Sequence, residues 1–369
     1  MRPYTDSEIP AAMRRIVAAE AFPLIASWVY PGRPIDEVKA MMLGFKTIDD
    51  FQLNVMRAVN EQVIARSITE LSGEGFERLD PAGAYLFVSN HRDIMLDACL
   101  FNYLLWRNGH RTSQITFGSN LMSPGLVTDI GKSNKMFKVE RGGKMRDLYL
   151  SSLQLSRYLR HVVTERGESV WIAQRNGRTK DGIDRTDAGL INMFAMSLPG
   201  DKLAALAELR IVPMTVSYEW ESCDILKAME LYESRNERYV KKPGEDLNSI
   251  ITGLLQPKGR VHIALGEEIT RDHLEAFAGC TRAEYHKQVA HLLDERIVAN
   301  YRLYPNNYIA HDLLYGETRF ADRYTPAQAE AFKARLALLA DYDVAHPELL
   351  NEIFLGIYAN PCLNVRCKL

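Results

Sequence analysis

The sequence predicts an α/β protein: a central mixed sheet flanked by helices, with helical additions at the N- and C-terminal ends. Three observations carry this reading. Short apolar runs of strand character recur through the middle of the chain, among them "YLFVS", "SVWIAQ", "IVPMTVSYE" and "RVHIALGEE". Segments of helical period lie between them, as layered strands and helices require. On either side of this middle part the pattern is mostly helical.

From about Ser7 to Leu71 the pattern is helical: Phe51, Val55, Val59 and Val63 stand four apart, joined by Met56, Ile64 and Ile68. That spacing lays an apolar stripe along one face, and "SGEG" stops the run. "FERL" then reads as a short strand, "DPAG" as a turn and "YLFVS" as a strand. "ACLFNYLLW" reads as a buried helix up to Gly109, and "QITFGSN" and "MFKVER" as strands around a helical segment. "MRDLYLSSLQLSRYLRHVVTERG" is an amphipathic helix with Leu148, Leu153, Leu155 and Leu159 among its apolar positions. Between the last two strands lies a polar stretch to which the pattern assigns no element. From about Arg271 the chain is helical again. The expected division is a helical region over 1–74, an α/β domain over 75–270 and a helical region over 271–369.

The chain of 369 residues is 47% apolar and 25% charged, enough for one large domain with additions or two modest ones. A net charge of −2 gives no global field for nucleic acid. Five scattered cysteines without a CxxC pair fit a reducing compartment and imply neither a disulfide framework nor structural zinc. The histidines form no group at metal-ligand spacing, so no metal is expected. No apolar segment reaches bilayer length, and "MRPYTDSEIP" lacks the order of a signal peptide. The expected location is cytoplasmic, peripheral on the inner face of the membrane, with "FPLIASWVYPG" offering Phe22, Leu24, Ile25, Trp28 and Tyr30 for an interfacial contact.

Chemistry concentrates where "SNHRDIMLDA" places His91, Arg92, Asp93 and Asp97 directly after an apolar strand. Ionisable groups beside a core are costly unless paired, so the cluster is a satisfied network or a working site. A neutral imidazole takes a proton from an alcohol when a carboxylate fixes its tautomer, and Asp93 or Asp97 can be that carboxylate. Asp93 also reads as a helix cap. Further on, "MFKVERGGK" sets Arg141 at a strand end beside two glycines, and "WIAQRNGRTKDG" repeats the arrangement with Gly177, Arg178 and Lys180. Guanidinium and open glycine backbone suit phosphate. "IVPMTVSYE" carries Pro213 inside a strand, which requires an edge or a bulge.

In this order and with these gaps, the four segments resemble the glycerolipid acyltransferase family, which includes glycerol-3-phosphate and lysophosphatidate acyltransferases. The family's blocks are Asn-His-x-x-x-x-Asp, a Phe-rich block ending in Arg, Glu-Gly-x-Arg, and a strand with Val-Pro. The resemblance spans about 75–270, where "KGRVHIALGEEI" is similar to the family's last strand. It implies His91 as general base with an aspartate behind it, Asn90 beside it, Arg141 as phosphate ligand with Gly177, Arg178 and Lys180, and Pro213 shaping the acyl side. The implied donor is acyl-CoA or acyl carrier protein, the implied acceptor a phosphorylated glycerol or lysolipid, and no cofactor is needed.

Two positions depart from the family. The acid follows His91 by six residues at Asp97 or by two at Asp93, where the family has five. A one-residue bulge before the helix restores Asp97 to the histidine and leaves Asp93 to cap. "RNGR" has no glutamate where the family has one, which opens the acceptor's identity. Two other classes stay open: an esterase or thioesterase that uses His91 to activate water, and a non-catalytic lipid-binding protein on the same scaffold.

Overall fold

Seven strands form one mixed sheet: β1 (Ile68–Glu74), β2 (Leu86–Ser89), β3 (Gln114–Gly118), β4 (Met136–Val139), β5 (Val170–Ala173), β6 (Ile211–Tyr218) and β7 (Gly259–Leu265). The computed structural model describes residues 2–121, 124–140, 144–235 and 239–366. The strands lie in the order β1-β7-β6-β2-β5-β3-β4. β6 and β7 run antiparallel, and every other neighbouring pair is parallel. β2 and β6 are apolar on both faces and buried throughout, as central strands of a covered sheet must be. β1, with its glutamates exposed, takes an edge. Parallel neighbours need long crossovers, which the helices Leu96–Arg107 and Met145–Arg160 supply.

Strand alternation divides the core in two. Phe87, Trp171, Val212, Met214, Val216 and Tyr218 face one side, where they meet the helix Leu96–Arg107 and the N-terminal helices Ile9–Ala18 and Phe22–Val29. Leu86, Val88, Val170 and Ile172 face the other, against the helices Met145–Arg160, Ala188–Ala195 and Arg282–Ala299. A third core gathers Ile309, Phe332, Phe354 and Tyr358 in the C-terminal helices around Ala228.

The sheet reaches further than the sequence pattern shows. "FERL" is a single helical turn at Phe76–Arg78, and the strand precedes it as β1, inside the run read as helix. β1 finds its ladder on β7, a partner nearly two hundred residues away that local periodicity cannot reveal. Gly73 of "SGEG" is needed there because a Cβ would lie 2.8 Å from the Phe76 ring. A boundary at 74/75 therefore cuts β1 from its sheet, and one at 270/271 cuts off the helix Arg282–Ala299, which belongs to the second core. The polar stretch without assignment holds two helices, Asp224–Glu233 and Glu245–Leu255.

Pro213 lies in a central strand, so the edge alternative fails and the bulge alternative holds. Met214 faces Leu265 but Ile211 faces Ile269, three steps on one strand against four on the other. The absent N–H falls at that irregularity, while the Pro213 carbonyl accepts from Gly266 N at 2.8 Å.

Candidate active site

β2 ends at Ser89, and the chain turns immediately into the loop that carries His91. This is the carboxyl end of the parallel strands, where open α/β sheets leave their crevice. β6 continues past the end of β2, whose last residue Ser89 pairs with Met214. Asn90 fastens the loop to this overhang: its amide oxygen accepts from Val216 N at 2.8 Å and its Nδ2 donates to Val216 O at 3.1 Å and Asp184 at 3.0 Å. Asn90 is fully buried and bonded at both ends of its amide, so it is a fastener of the loop and offers nothing to a substrate.

His91 Nδ1 lies 2.9 Å from Asp97 Oδ2. The same oxygen accepts from the backbone N–H groups of Arg92 at 2.7 Å and Asp93 at 3.0 Å, and the other oxygen accepts from Tyr218 at 2.9 Å. These donors fit an ionised carboxylate, so the Nδ1 position carries the proton and donates to Asp97. No described residue hydrogen-bonds Nε2. The imidazole meets the Trp171 indole edge to face, with centroids 5.7 Å apart.

Asp93 turns away from the ring. Its Oδ1 accepts from Met95 N and Leu96 N, both at 2.8 Å, at the start of the helix Leu96–Arg107. Its Oδ2 accepts from the Ser222 hydroxyl. Of the two carboxylates, geometry gives Asp97 to the histidine and Asp93 to the helix start, and it does so because the three residues between them turn tightly into that helix. Burial, with both aspartates nearby, pushes the Cys99 thiol up to about 12, so this buried cysteine is no nucleophile.

Arg92, adjacent to His91, points into the protein. It is buried and bonds Asp184 at 2.6 Å and Glu221 at 3.3 Å, while Lys227 bonds Glu221 at 2.6 Å and the Arg92 carbonyl at 2.8 Å. Two cations thus face two anions. Thr179 completes the closure: its hydroxyl donates to Asp184 at 2.8 Å and its N–H to the His91 carbonyl at 2.7 Å. Sequence reasoning missed Asp184, Glu221, Lys227 and Tyr218. Only Tyr218 had a usable signal, its parity with Val212, Met214 and Val216 on the face of β6 that meets the helix of Asp97.

The segment after β5 supplies the remaining candidates. Gly177 has a φ of +79°, with nothing within 4 Å of an added Cβ, so it turns the chain and leaves its backbone open. Arg178 is buried; one terminal nitrogen donates to Ser249 at 3.3 Å, and Nη1 has no partner among the described residues. Trp171 Nε1, beside His91, is likewise buried without a partner. An unpaired buried donor is costly, and these two stand with Arg92 Nε and Gln174 Nε2 among the described residues' buried donors without a partner. Lys180 is a correction: its ammonium is paired with Glu230, which neutralises the charge a phosphate would need. Arg141 lies outside the described residues. Arg175, half-buried where the family has its glutamate, lines a groove of about 260 Å³ floored by Phe117, Leu155 and Ile172.

Residues 70–217 match the family model described as Acyltransferase. The glycerol-3-phosphate acyltransferase of Pseudomonas syringae pv. tomato is 27% identical over 197 residues, covering 53% of this chain and 22% of the relative. That of Pseudomonas paraeruginosa is 29% identical over 193 residues, covering 52% and 22%. The crystal structure of the 1-acyl-sn-glycerophosphate (LPA) acyltransferase PlsC from Thermotoga maritima superposes with a TM-score of 0.36 and 12% identity, over 78% of this chain and 94% of that one. Residues 70–217 are thus similar to an acyltransferase domain, and the match spans about a fifth of the length of the curated relatives.

Proposed function

We propose that this chain moves a fatty acyl group from a thioester donor, acyl-CoA or acyl carrier protein, to a hydroxyl of glycerol 3-phosphate or a lysophospholipid, in phospholipid biosynthesis. The observation that carries the reading is the His91–Asp97 pair, with Nδ1 held at 2.9 Å and Nε2 left without a partner among the described residues. With Nδ1–H donated to the carboxylate, the lone pair of Nε2 is free to take the acceptor's hydroxyl proton. The oxygen then attacks the thioester carbonyl, and the C–S bond breaks as the tetrahedral intermediate collapses. The departing thiolate takes the proton back from Nε2, so His91 ends the cycle neutral. Asp97 stays ionised and stabilises the imidazolium between the two steps.

The two unpaired donors divide between charges the reaction presents. Arg178 Nη1 suits the acceptor's phosphate, and Trp171 Nε1, beside the imidazole, suits the oxyanion of the tetrahedral intermediate. Asp93, Asn90 and Lys180 drop out of the reacting groups, and Pro213 acts through the path of β6. Among the described residues no helix is long and apolar enough to cross a membrane. Contact with a lipid surface would use the helix Phe22–Val29, whose Leu24 is 77% exposed and Ile25 37%, while Phe22 and Val29 pack inward.

The test is product analysis by mass spectrometry with palmitoyl-CoA and palmitoyl-acyl carrier protein, each against glycerol 3-phosphate, lysophosphatidate and lysophosphatidylcholine. Thiol release that depends on a phosphate monoester and yields the acylated acceptor supports the reading. Donor hydrolysis that ignores every acceptor makes the protein a thioesterase, and saturable binding without turnover makes it a lipid-binding protein.

A further inference from the structure

The tyrosine at the end of β6 completes a relay that begins at the reacting nitrogen. Four donors converge on the Asp97 carboxylate, and three of them share Oδ2: the His91 ring and the N–H groups of Arg92 and Asp93. Among the described residues Oδ1 has one donor, the Tyr218 hydroxyl at 2.9 Å. Tyr218 and Asp97 are both buried, at 1% and 0% exposure, so water takes no part in satisfying that oxygen. Burial first, and the adjacent Asp97 charge next, hold the phenol protonated well above its ordinary value of 10. The hydroxyl therefore donates to the carboxylate throughout the pH range in which a histidine titrates.

We infer that Tyr218 is a positioning residue that sets the proton affinity of His91 through Asp97. The inference rests on the reading of His91 as general base. A carboxylate pinned at one oxygen only can turn about its Cβ–Cγ bond, and pinned at both it cannot. The phenol also draws negative charge away from the oxygen that faces the imidazole, because hydrogen bonds to a carboxylate stabilise and disperse its charge. Removal of the hydroxyl leaves Asp97 a stronger partner for imidazolium. His91 then holds its proton to higher pH, and less of the enzyme carries a free Nε2 at neutrality. β6 reaches this spot only because it overruns β2 by four residues, from Met214 opposite Ser89 to Tyr218. The other titratable groups around the pair are Arg92, Asp93 and Cys99 near Asp97, and Glu221 and Lys227 beyond β6. None of them hydrogen-bonds the Tyr218 hydroxyl, so Tyr218→Phe leaves their own hydrogen bonds in place.

The experiment follows His91 directly, by NMR titration of its ring in wild type, Tyr218→Phe and a protein with 3-fluorotyrosine at position 218, with His91→Gln to assign the resonance. The fluorinated phenol keeps the shape and donates more strongly, so it serves even where the phenylalanine variant folds poorly. The expected result is a His91 midpoint raised on the order of 0.5–1 pH unit in Tyr218→Phe and lowered in the fluorotyrosine protein. With acyl-transfer substrates, the acidic limb of kcat/KM moves with it, kcat falls roughly tenfold, and KM for donor and acceptor stays. In an Asp97→Asn background the same tyrosine substitution has no further effect. Unmoved midpoints in a folded protein overturn the inference even if acyl transfer is found. Moved midpoints without acyl transfer leave the relay standing and remove the proposed reaction instead.

Discussion

His91 and Arg92 are neighbours in sequence with opposite fates, and the contrast separates a site from a scaffold. His91 is held by one ring nitrogen and keeps the other without a partner among the described residues. Arg92 is buried among Asp184, Glu221 and the Tyr301 ring, its charge balanced by these two anions, of which Lys227 shares Glu221. Both belong to one loop, and both would look like catalytic material in a list of ionisable residues. What distinguishes them is where the charge is met: the Arg92 guanidinium is paired by internal anions, although its Nε has no partner among the described residues. The Arg92 network ties together the loop after β2, the segment after β5 and the end of β6, and so holds the frame in which His91 sits. Buried ion pairs of this kind add little net stability when whole but cost heavily when one member is lost.

The largest expected effect is on the reactive side. His91→Ala should lower turnover by ~10²–10⁴-fold and leave urea unfolding near that of the wild type, because the ring loses its bond to Asp97 and its contact with Trp171 while Asp97 keeps three other donors. Arg92→Ala reverses the pattern: it leaves Asp184 without its cation and Glu221 with Lys227 alone, and should cost about 3–5 kcal/mol of unfolding free energy, read from the midpoint and slope of a urea melt. If the two substitutions gave the same balance of activity loss and stability loss, the division between site and scaffold would be wrong.

Arg178→Ala should come next, with a loss on the order of 2–3 kcal/mol confined to the acceptor's kcat/KM when a phosphorylated acceptor is compared with an uncharged one. An equal loss toward both acceptors would assign Arg178 to the frame. The buried Lys258 provides a pH test of the frame itself. Burial pushes its ammonium down to about 8 from 10.5, although Gln256 O at 2.6 Å and Ser67 Oγ at 3.0 Å accept from it. Between those two values the unfolded chain holds the proton that the folded chain has released, so stability rises with pH, by at most about 1.4 kcal/mol per unit. Below pH 8 both states are protonated and the penalty is constant. Lys258→Met should flatten the rise between pH 8 and 9.5 in parallel urea melts. Smallest of all is Asp93→Asn, where an amide oxygen caps as a carboxylate does: below about 1 kcal/mol in stability, with turnover within a few-fold of wild type.

The same contrast explains what the sequence made legible. His91 and Asp97 lie within six residues of each other at a strand end, so local spacing nominates the pair, and the turn into the helix from Leu96 decides between Asp97 and Asp93. The Arg92 partners come from positions 184, 221 and 227, on elements whose meeting depends on sheet order and register. No local pattern encodes that order. The strand–helix alternation gave the central layer, whereas β1 escaped notice because "ITELSGE" becomes a strand only against β7. Lys180 was nominated by charge and spacing, which are blind to Glu230 fifty residues further on.

The most direct test of the central claim is acceptor-dependent thiol release from palmitoyl-CoA at saturating glycerol 3-phosphate or lysophosphatidate, compared between wild type and His91→Ala at matched folded fraction. The account predicts that wild type releases thiol in step with acylated acceptor and that His91→Ala loses at least about a hundredfold of that rate. A folded His91→Ala protein that transfers acyl groups at a near wild-type rate would contradict it.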